Sequence, residues 1–313
     1  MNSFQTAVNA VLPMFLLLLT GAGLRKAGLA DESTLNRLNT LCFKVFLATN
    51  IYFNICKMDI ASVLDARLLG FAAASQLAVL GISLAAGFLA ARGKKQRGAV
   101  AHCVFHTNFV IFGTLIGTSL CGEGNIGAVA LLVAIIVPLQ NVLSVALLEL
   151  FRENSSLQLG KTLKSVIKNP YVVAALLGFA TQLAGVRWPT VFMGVLRDLG
   201  RCGTPLAMIA MGGLFNFGSV GANLRMIAIG SAFRLLIVPA LFLPLSVWLG
   251  FRGPQMVALM ALFFAPTAAT SFNLAGAMDS DADLTSQTIV FSSLLSLVTI
   301  FLWIWLLGGY GLF

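Results

Sequence analysis

The chain has 313 residues, of which 58% are hydrophobic and 10% charged, and its mean hydropathy is +0.94. So few polar residues exclude a soluble globular protein and indicate an all-α integral membrane protein. Ten crossings of about 20 residues each would use roughly 200 residues, which excludes a sizeable domain outside the membrane. The net charge of +9 does not call for a nucleic-acid partner, because basic residues collect in the cytoplasmic loops of membrane proteins.

Apolar runs separated by short polar segments predict ten membrane spans. No Lys or Arg precedes the first run, and Arg25 and Lys26 follow it, so we expect a retained span and not a secretory signal. A charged connector over residues 151–165 divides the chain into a first five-helix repeat, 1–150, and a second, 166–313. The predicted spans are 4–24, 38–56, 68–91, 98–120 and 126–150, followed by 166–186, 190–217, 226–250, 255–277 and 285–308.

Basic residues are distributed unevenly between the loops. Loops that follow even-numbered spans carry only Lys57, Arg67, Arg187 and Arg252, and the other loops carry most of the remainder. The positive-inside rule therefore predicts a cytoplasmic connector and both termini outside, in a bacterial inner (plasma) membrane. The basic cluster at 92–97 is interpreted as a topology signal, with contact to anionic membrane lipid as the weaker interpretation.

The two halves of the chain share a pattern of helix-breaking residues. Pro13, Gly21 and Gly28 recur at Pro170, Gly178 and Gly185, all displaced by the same interval along the chain. An odd number of spans in each half means that the second half enters the membrane from the opposite side. The sequence thus predicts two inverted five-helix repeats, an arrangement typical of secondary transporters.

The fourth and ninth predicted spans carry polar or helix-breaking residues near their middles. Pro266 removes a backbone hydrogen bond from the ninth span and costs about 3 kcal/mol in an ordinary helix interior. His106, Thr107 and Asn108 occupy the corresponding part of the fourth span. Broken helix ends expose amide groups with a positive dipole end, so we expect them to bind an anionic ligand between them.

Several polar residues on these and neighbouring spans have more than one interpretation. His106 would either bind a carboxylate or relay a proton, or be a neutral, hydrogen-bonded bundle residue. His102 lies four residues earlier, a metal-compatible spacing, but no Cys, Asp or Glu on that span completes a site, so no metal is predicted. Arg234, inside the eighth span, would contact the substrate, extend towards the interface, or pair with Glu149.

At these positions the sequence resembles the auxin efflux carrier family, within the bile acid/arsenite/riboflavin transporter superfamily. The resemblance covers nearly the whole chain, and its most specific motifs are Asn169-Pro170, Arg234-Leu235-Leu236 with Pro239, residues 265–268, residues 292–297, and Asn108 with Gly113. It implies two inverted five-span repeats, fourth and ninth spans that cross at their breaks, and an elevator-type movement.

The resemblance also implies a binding pocket, and it includes departures from the family pattern. The implied and derived substrate-binding residues together are Tyr52, His106, Thr107, Asn108, Gln140, Pro266, Thr267, Thr270, Ser271 and Asn273. Thr49, Thr107 and Leu115 stand where the family commonly has proline. A break in the fourth span would therefore depend on Asn108, Gly113 and Gly117.

The sequence favours a secondary active transporter of a small organic anion, such as a malonate-like or auxin-like carboxylate. GxSxG, HExxH and P-loop motifs are absent, so neither an enzyme nor an ATPase is expected. The alternatives are a membrane ligand sensor that does not transport, and an intramembrane enzyme that uses His102 and His106. No cofactor is predicted, the coupling ion is H⁺ or Na⁺, and a homodimer is a further expectation.

Overall fold

The computed structural model describes residues 3–57, 65–122, 125–152, 170–214 and 223–313. The described residues form helices joined by short loops. They also form an isolated antiparallel β-bridge between Thr107 and Thr267. The helices are α1 (Ser3–Lys26), α2 (Glu32–Leu41, a π-helical turn Cys42–Phe46, and Leu47–Lys57), α3 (Ala66–Ala90), α4a (Lys94–Phe105), α4b (Phe109–Cys121), α5 (Gly127–Leu150), α6 (Pro170–Leu183), α7 (Thr190–Gly213), α8 (Leu224–Trp248), α9a (Gly253–Phe264), α9b (Ser271–Ala277) and α10 (Ala282–Gly308).

The predicted all-helical fold is confirmed, and within the described residues four helices are long and apolar enough to cross a membrane. These are α3, α5, α8 and α10, while α4b and α9a are shorter apolar helices. The ten-span inverted repeat stays a prediction. Of the predicted connector, residues 153–165 lie outside the described residues.

The helix that contains the second predicted span, 38–56, begins earlier along the chain, at Glu32. Asp31 precedes the helix in an extended conformation, and its carboxylate accepts a hydrogen bond from the Thr34 amide at 2.8 Å. Such a cap satisfies an amide that the first turn leaves unpaired, so the helix extends into a polar segment that an apolar run does not predict. Arg37 consequently lies within α2.

The helices pack as two groups. In the first group α1 lies along α7, and α2 packs against both α6 and α7. In the second group α3 packs against α4a, α4b against α9a, and α10 against α4a and α9b. The main contact between the groups joins α1 to α10, and it includes the edge-to-face pair Phe4 and Phe301 with ring centroids 5.4 Å apart.

Glycines allow α1 and α7 to approach closely within the first group. An added methyl group at Gly21 would collide with the Ile209 carbonyl oxygen, and one at Gly212 would collide with the Leu18 carbonyl oxygen. Small residues of this kind let membrane helices pack backbone to backbone. The two contacts therefore fix the spacing of α1 and α7.

Burial is greatest in the second group. Every residue from 256 to 264 on α9a has an exposed fraction of 0%, so this helix is enclosed by its neighbours. Both groups present large apolar side chains outwards, among them Leu176 and Leu183 of α6 in the first group and Trp248 of α8 in the second. Such a surface suits contact with lipid, and the enclosed α9a carries one of the two helix breaks.

Candidate functional site

The breaks in the fourth and ninth helical segments lie against each other. The Asn108 amide donates to the Pro266 carbonyl at 2.8 Å, and the Ala268 amide donates to the His106 carbonyl at 3.0 Å. These two hydrogen bonds form the bridge between Thr107 and Thr267. We call this meeting point of residues 106–108 and 265–270 the crossing.

Proline explains the break in the ninth segment. A residue before proline is driven out of the helical region, and Ala265 has φ −57° and ψ 139°. Pro266 itself has no amide hydrogen to donate along the helix. The chain therefore leaves the helix at Ala265, and α9b begins at Ser271.

The fourth segment is broken without a proline. His106 is extended, with φ −85° and ψ 113°, and Asn108 precedes α4b with φ −79° and ψ 44°. Their freed backbone groups bond to the ninth segment, so the pairing stabilises this break. The expectation that Gly113 and Gly117 contribute is wrong, because both lie inside α4b and pack against Val129 of α5.

Thr107 connects the crossing to α5 and α3 through buried side chains. Its hydroxyl donates to the Gln140 side-chain oxygen at 3.3 Å, and the Gln140 amide donates to the Gln76 side-chain oxygen at 2.8 Å. All three side chains are buried. Buried polar groups must be paired, and this chain of hydrogen bonds pairs them across three helices.

Two histidines lie on the α4a side of the crossing. His106 Nδ1 is 3.1 Å from the Ser271 hydroxyl oxygen, which links α4a to the start of α9b. The His102 ring stacks on the His106 ring with centroids 5.2 Å apart, and both His102 nitrogens lack a hydrogen-bond partner among the described residues. Among all the residues that the structure describes, no group of three or more His, Cys, Asp or Glu side chains could hold a metal ion.

Asn108 and Thr267 make different kinds of contact. The side-chain nitrogen of Asn108, Nδ2, lies 3.7 Å from the Met211 sulfur on α7, and a thioether is a weak acceptor. The Thr267 hydroxyl donates to the Cys103 carbonyl at 2.8 Å, and the Thr267 amide donates to the Ser292 hydroxyl at 3.3 Å. The Asn108 side chain therefore loses little when it gives up the Met211 sulfur for a stronger acceptor. Thr267 is fixed, because its amide and its hydroxyl both donate hydrogen bonds.

Arg234 lies at the crossing with an exposed fraction of 1%. It sits in a π-helical turn of α8, Phe233–Ile237. Its guanidinium donates to the Ala265 carbonyl at 2.9 Å, the Leu262 carbonyl at 3.0 Å, the Phe263 carbonyl, and the Val104 carbonyl at 3.2 Å. These carbonyls belong to the C-terminal ends of α9a and α4a.

Of the three interpretations of Arg234 that the sequence allows, pairing with Glu149 is wrong. Glu149 lies near the C-terminal end of α5 and is 3.5 Å from Arg152. The π-helical turn and the burial of Arg234 place its guanidinium against the helix ends of the crossing.

A polar cavity of about 640 Å³ lies between α2, α4b and α7. Its basic lining residues are Lys57, Arg197 and Arg201, and its polar uncharged ones are Asn50, Asn54, Thr114, Thr118 and Thr204. Its volume suits a small organic ligand, and among the described residues no carboxylate lines it. The crossing residues do not line it, and those brought together there are closely packed.

Comparison with known proteins agrees with this architecture. A family model described as membrane transport protein matches residues 6–304. The chain belongs to this auxin efflux carrier-like family. It is also 27% identical over 311 residues to an uncharacterized transporter of Methanothermobacter thermautotrophicus, covering 96% of this chain and 98% of that protein.

Family membership and the apolar helices together show a multi-pass membrane transporter, and the predicted recognition is confirmed. The family and the name of the relative indicate transport and not catalysis. Four of the motifs that carry the family resemblance lie at the crossing, and one of them includes Asn108, whose backbone amide donates to the Pro266 carbonyl. Arg234 binds the helix ends, residues 265–268 form the ninth break, and Ser292 accepts from the Thr267 amide.

The structure brings together most of the predicted site residues of this family member. Those buried at the crossing, or hydrogen-bonded to it, are His106, Thr107, Asn108, Gln140, Pro266, Thr267 and Ser271. Thr270, the last residue of the crossing, is exposed, and the side chain of Asn273 lies outside the described set. The substrate-binding roles of all these residues stay predictions.

Tyr52 makes its hydrogen bonds away from the crossing. Its hydroxyl is 3.0 Å from the Thr181 hydroxyl on α6 and accepts a hydrogen bond from the Trp188 indole at 2.9 Å. Sequence reasoning missed Gln76, which the structure connects to Gln140. A glutamine inside an apolar run was the available signal for it.

Proposed function

We propose that the protein is a secondary active transporter that moves a small organic anion, such as a malonate-like or auxin-like carboxylate, by elevator-type alternating access. The observation that carries the proposal is the crossing, where two interrupted helices exchange backbone hydrogen bonds deep inside the bundle. Helix breaks at membrane depth occur where a transporter binds its substrate or coupling ion.

The charge distribution at the crossing supports an anionic substrate. The C-terminal ends of α4a and α9a are partially negative, and Arg234 offsets them with a full positive charge. The N-terminal end of α4b starts beside Asn108 and directs amide groups towards the crossing. The buried carboxylate within the described ranges is Glu149, which pairs with Arg152 and does not offset this charge.

The cavity between α2, α4b and α7 supports the same substrate class. Arg197 in its lining pairs with Asp198 at 3.1 Å, and the further basic residues Lys57 and Arg201 give the cavity the positive charge that attracts an anion. The cavity lies against α4b, whose N-terminal end is at the crossing. Asn108 is the crossing residue best placed to contact an arriving substrate, because its present acceptor is the weak Met211 sulfur.

The repeat and the elevator movement are supported by helix geometry. The 25 residues of α3 match the 25 of α8, and the 12 residues of α4a match the 12 of α9a. Gly28 and Gly185, predicted to correspond, both have positive φ, +71° and +66°. The packing into two groups offers a fixed body, α1, α2, α6 and α7, and a moving body that contains the crossing.

The remaining features of the proposal follow from the sequence. Both termini lie outside a bacterial plasma membrane, and residues 151–165 are cytoplasmic. The apolar surface of the first group contacts lipid or a second copy of the chain. His106 is the candidate for H⁺ coupling, and Na⁺ coupling is the alternative.

Uptake by purified protein in sealed proteoliposomes tests the function. Labelled malonate and an indole carboxylate would be offered with H⁺ and Na⁺ gradients imposed separately. We expect uptake of at least one anion, reduced at least about tenfold by Asn108→Ala, because a hydrogen bond to a charged group contributes about 1.5 kcal/mol or more.

Asn125→Ala is the matched control, because Asn125 is exposed and donates to the Cys121 carbonyl at 3.0 Å, beyond the end of α4b. Its uptake should equal that of the unmodified protein. Specific binding of an anion without uptake or counterflow would instead support the sensor alternative. Absence of both binding and uptake for all anions would refute an organic-anion carrier.

A further inference from the structure

Arg234 stands in an environment that ordinarily surrounds a bound metal cation. Four backbone carbonyl oxygens accept from its guanidinium, and they come from two separate helix ends. Among the described residues, no carboxylate lies within 4.0 Å of it. The charge is thus balanced by peptide dipoles and not by an acid.

Carbonyl oxygens freed at helix breaks have a defined chemical preference. They replace the hydration shell of a monovalent cation, and unwound helices in transporters coordinate Na⁺ in this way. The helix C-terminal ends add partial negative charge at the same place. A cluster of such carbonyls, closed off from water, is costly unless a cation or a donor occupies it.

The guanidinium meets that requirement within the chain itself. It carries a permanent charge and donors in a planar fork, which reaches several carbonyls at once. It also joins Val104 at the end of α4a to Leu262 and Ala265 on the α9a side. The two broken helices are therefore tied to α8 by one positive group.

We propose that Arg234 is a tethered cation that occupies the carbonyl cluster of the crossing in place of a coupling Na⁺. Carbonyls held by the guanidinium cannot coordinate a metal ion, so this cluster gives the protein no dependence on Na⁺. Removal of the guanidinium leaves the same oxygens for a monovalent cation. Arg234 is then a positioning residue that holds α4a and α9a in register.

The statement that Arg234 replaces a coupling ion rests on the proposed function, whereas its occupation of the carbonyl cluster does not. The test therefore uses thermal unfolding of the purified full-length protein. Melting would be followed in NaCl, KCl and choline chloride at equal ionic strength. The unmodified protein should melt at the same temperature in all three salts. Arg234→Ala should lower the melting temperature in choline by about 5 to 10 °C, because four carbonyls lose their donor.

The cation dependence of the variant separates this role from ordinary packing. Low, non-denaturing guanidinium, or Na⁺, should restore a large part of the lost melting temperature of Arg234→Ala by binding the folded state. Arg252 is the matched control, since it is exposed and donates to the Phe251 carbonyl at 2.7 Å and the Val247 carbonyl at 3.1 Å. Arg252→Ala should show no cation-specific shift.

Two outcomes overturn the inference. One is specific stabilisation of the unmodified protein by Na⁺ that Arg234→Ala abolishes, since Na⁺ would then bind together with the guanidinium. The other is an Arg234→Ala variant that no cation restores. If Arg234→Ala does not fold, Arg234→Lys gives the same test, because one ammonium leaves some of the carbonyls open to Na⁺. Failure of anion uptake with these melting results intact would remove the proposed function and leave the tethered cation standing.

Discussion

Gln140 ties the crossing to α3, and its replacement by leucine tests whether this connection stabilises the fold. The Gln140 amide donates to Gln76 at 2.8 Å, and its oxygen accepts from the Thr107 hydroxyl at 3.3 Å. Gln140 is 0% exposed and Gln76 is 1% exposed, so water does not compete for either bond. Gln140→Leu removes both bonds and leaves the Gln76 oxygen without this donor.

The cost can be worked from these contacts. Each lost hydrogen bond removes about 0.5 to 1.5 kcal/mol, with values near 0.6 kcal/mol measured between membrane helices. The buried Gln76 oxygen left without a donor adds about 1 to 3 kcal/mol. We therefore expect Gln140→Leu to lower the free energy of unfolding by about 2 to 4 kcal/mol.

A double-mutant cycle isolates the interaction. Gln76→Leu alone should also destabilise the protein, because it leaves the Gln140 amide without its acceptor. The double variant should lose less stability than the sum of the single variants, by at least about 1 kcal/mol, because neither partner is then left unpaired. Reversible unfolding in mixed detergent micelles measures all four proteins.

Gln5→Leu is the control, since Gln5 is exposed on α1, and its effect should stay within about 0.5 kcal/mol. Additive losses from Gln76→Leu and Gln140→Leu would refute the reasoning, because residues that share no interaction give additive effects.

Two further predictions concern the rest of the fold. Gly212→Ala should lower the free energy of unfolding by about 1 to 3 kcal/mol, because the new methyl group collides with the Leu18 carbonyl oxygen. Gly194→Ala on the same helix is the control, and because its methyl group meets no other atom it should be neutral or stabilising in the same unfolding assay. Hydrogen bonds from Thr34 hold the pKa of Asp31 below its usual range. The Asp31 cap should therefore contribute its full stability at a pH above the pKa of Asp31 in the unfolded chain, and lose it as the pH falls through the lower pKa of Asp31 in the folded protein. Asp31→Asn should abolish this loss of stability in acid. If the free energy of unfolding changes equally with pH in the unmodified protein and in Asp31→Asn, between about pH 6 and 2, the prediction is contradicted.

The sequence was sufficient to predict an all-helical membrane protein and the break at Pro266, and the polar residues 106–108 indicated where the second break lies. Apolar runs of membrane length specify helices without reference to other parts of the chain, and Pro266 specifies a local break. The break at Thr107 is different, because no residue there forbids a helix. It depends on hydrogen bonds to residues about 160 positions away, which only the packed structure supplies.

Side-chain partners were less predictable. Arg234 has equally good chemical reasons to bind a substrate, a carboxylate or a carbonyl, and the π-helical turn that aims it has no sequence signature that we used. Tyr52 was assigned to the pocket by resemblance, but its hydroxyl bonds to Thr181 and Trp188. Which polar groups meet depends on helix rotation and tilt, and the apolar pattern leaves both undetermined.

Alternating exposure of the crossing to the two sides of the membrane is the central claim, and Ser271 is the position that tests it. Ser271 is fully buried and next to His106, so a reagent reaches it only if the crossing opens. Ser271→Cys would be made after replacement of the native cysteines Cys42, Cys56, Cys103, Cys121 and Cys202. Ala258→Cys, at a fully buried position of α9a, is the control.

The decisive measurement is labelling of Ser271→Cys in oriented vesicles by a membrane-impermeant thiol reagent, applied to one side at a time. The account predicts labelling from each side, suppressed by the transported anion, and none at Ala258→Cys. Labelling from neither side, or from one side under every substrate and gradient condition, would contradict it.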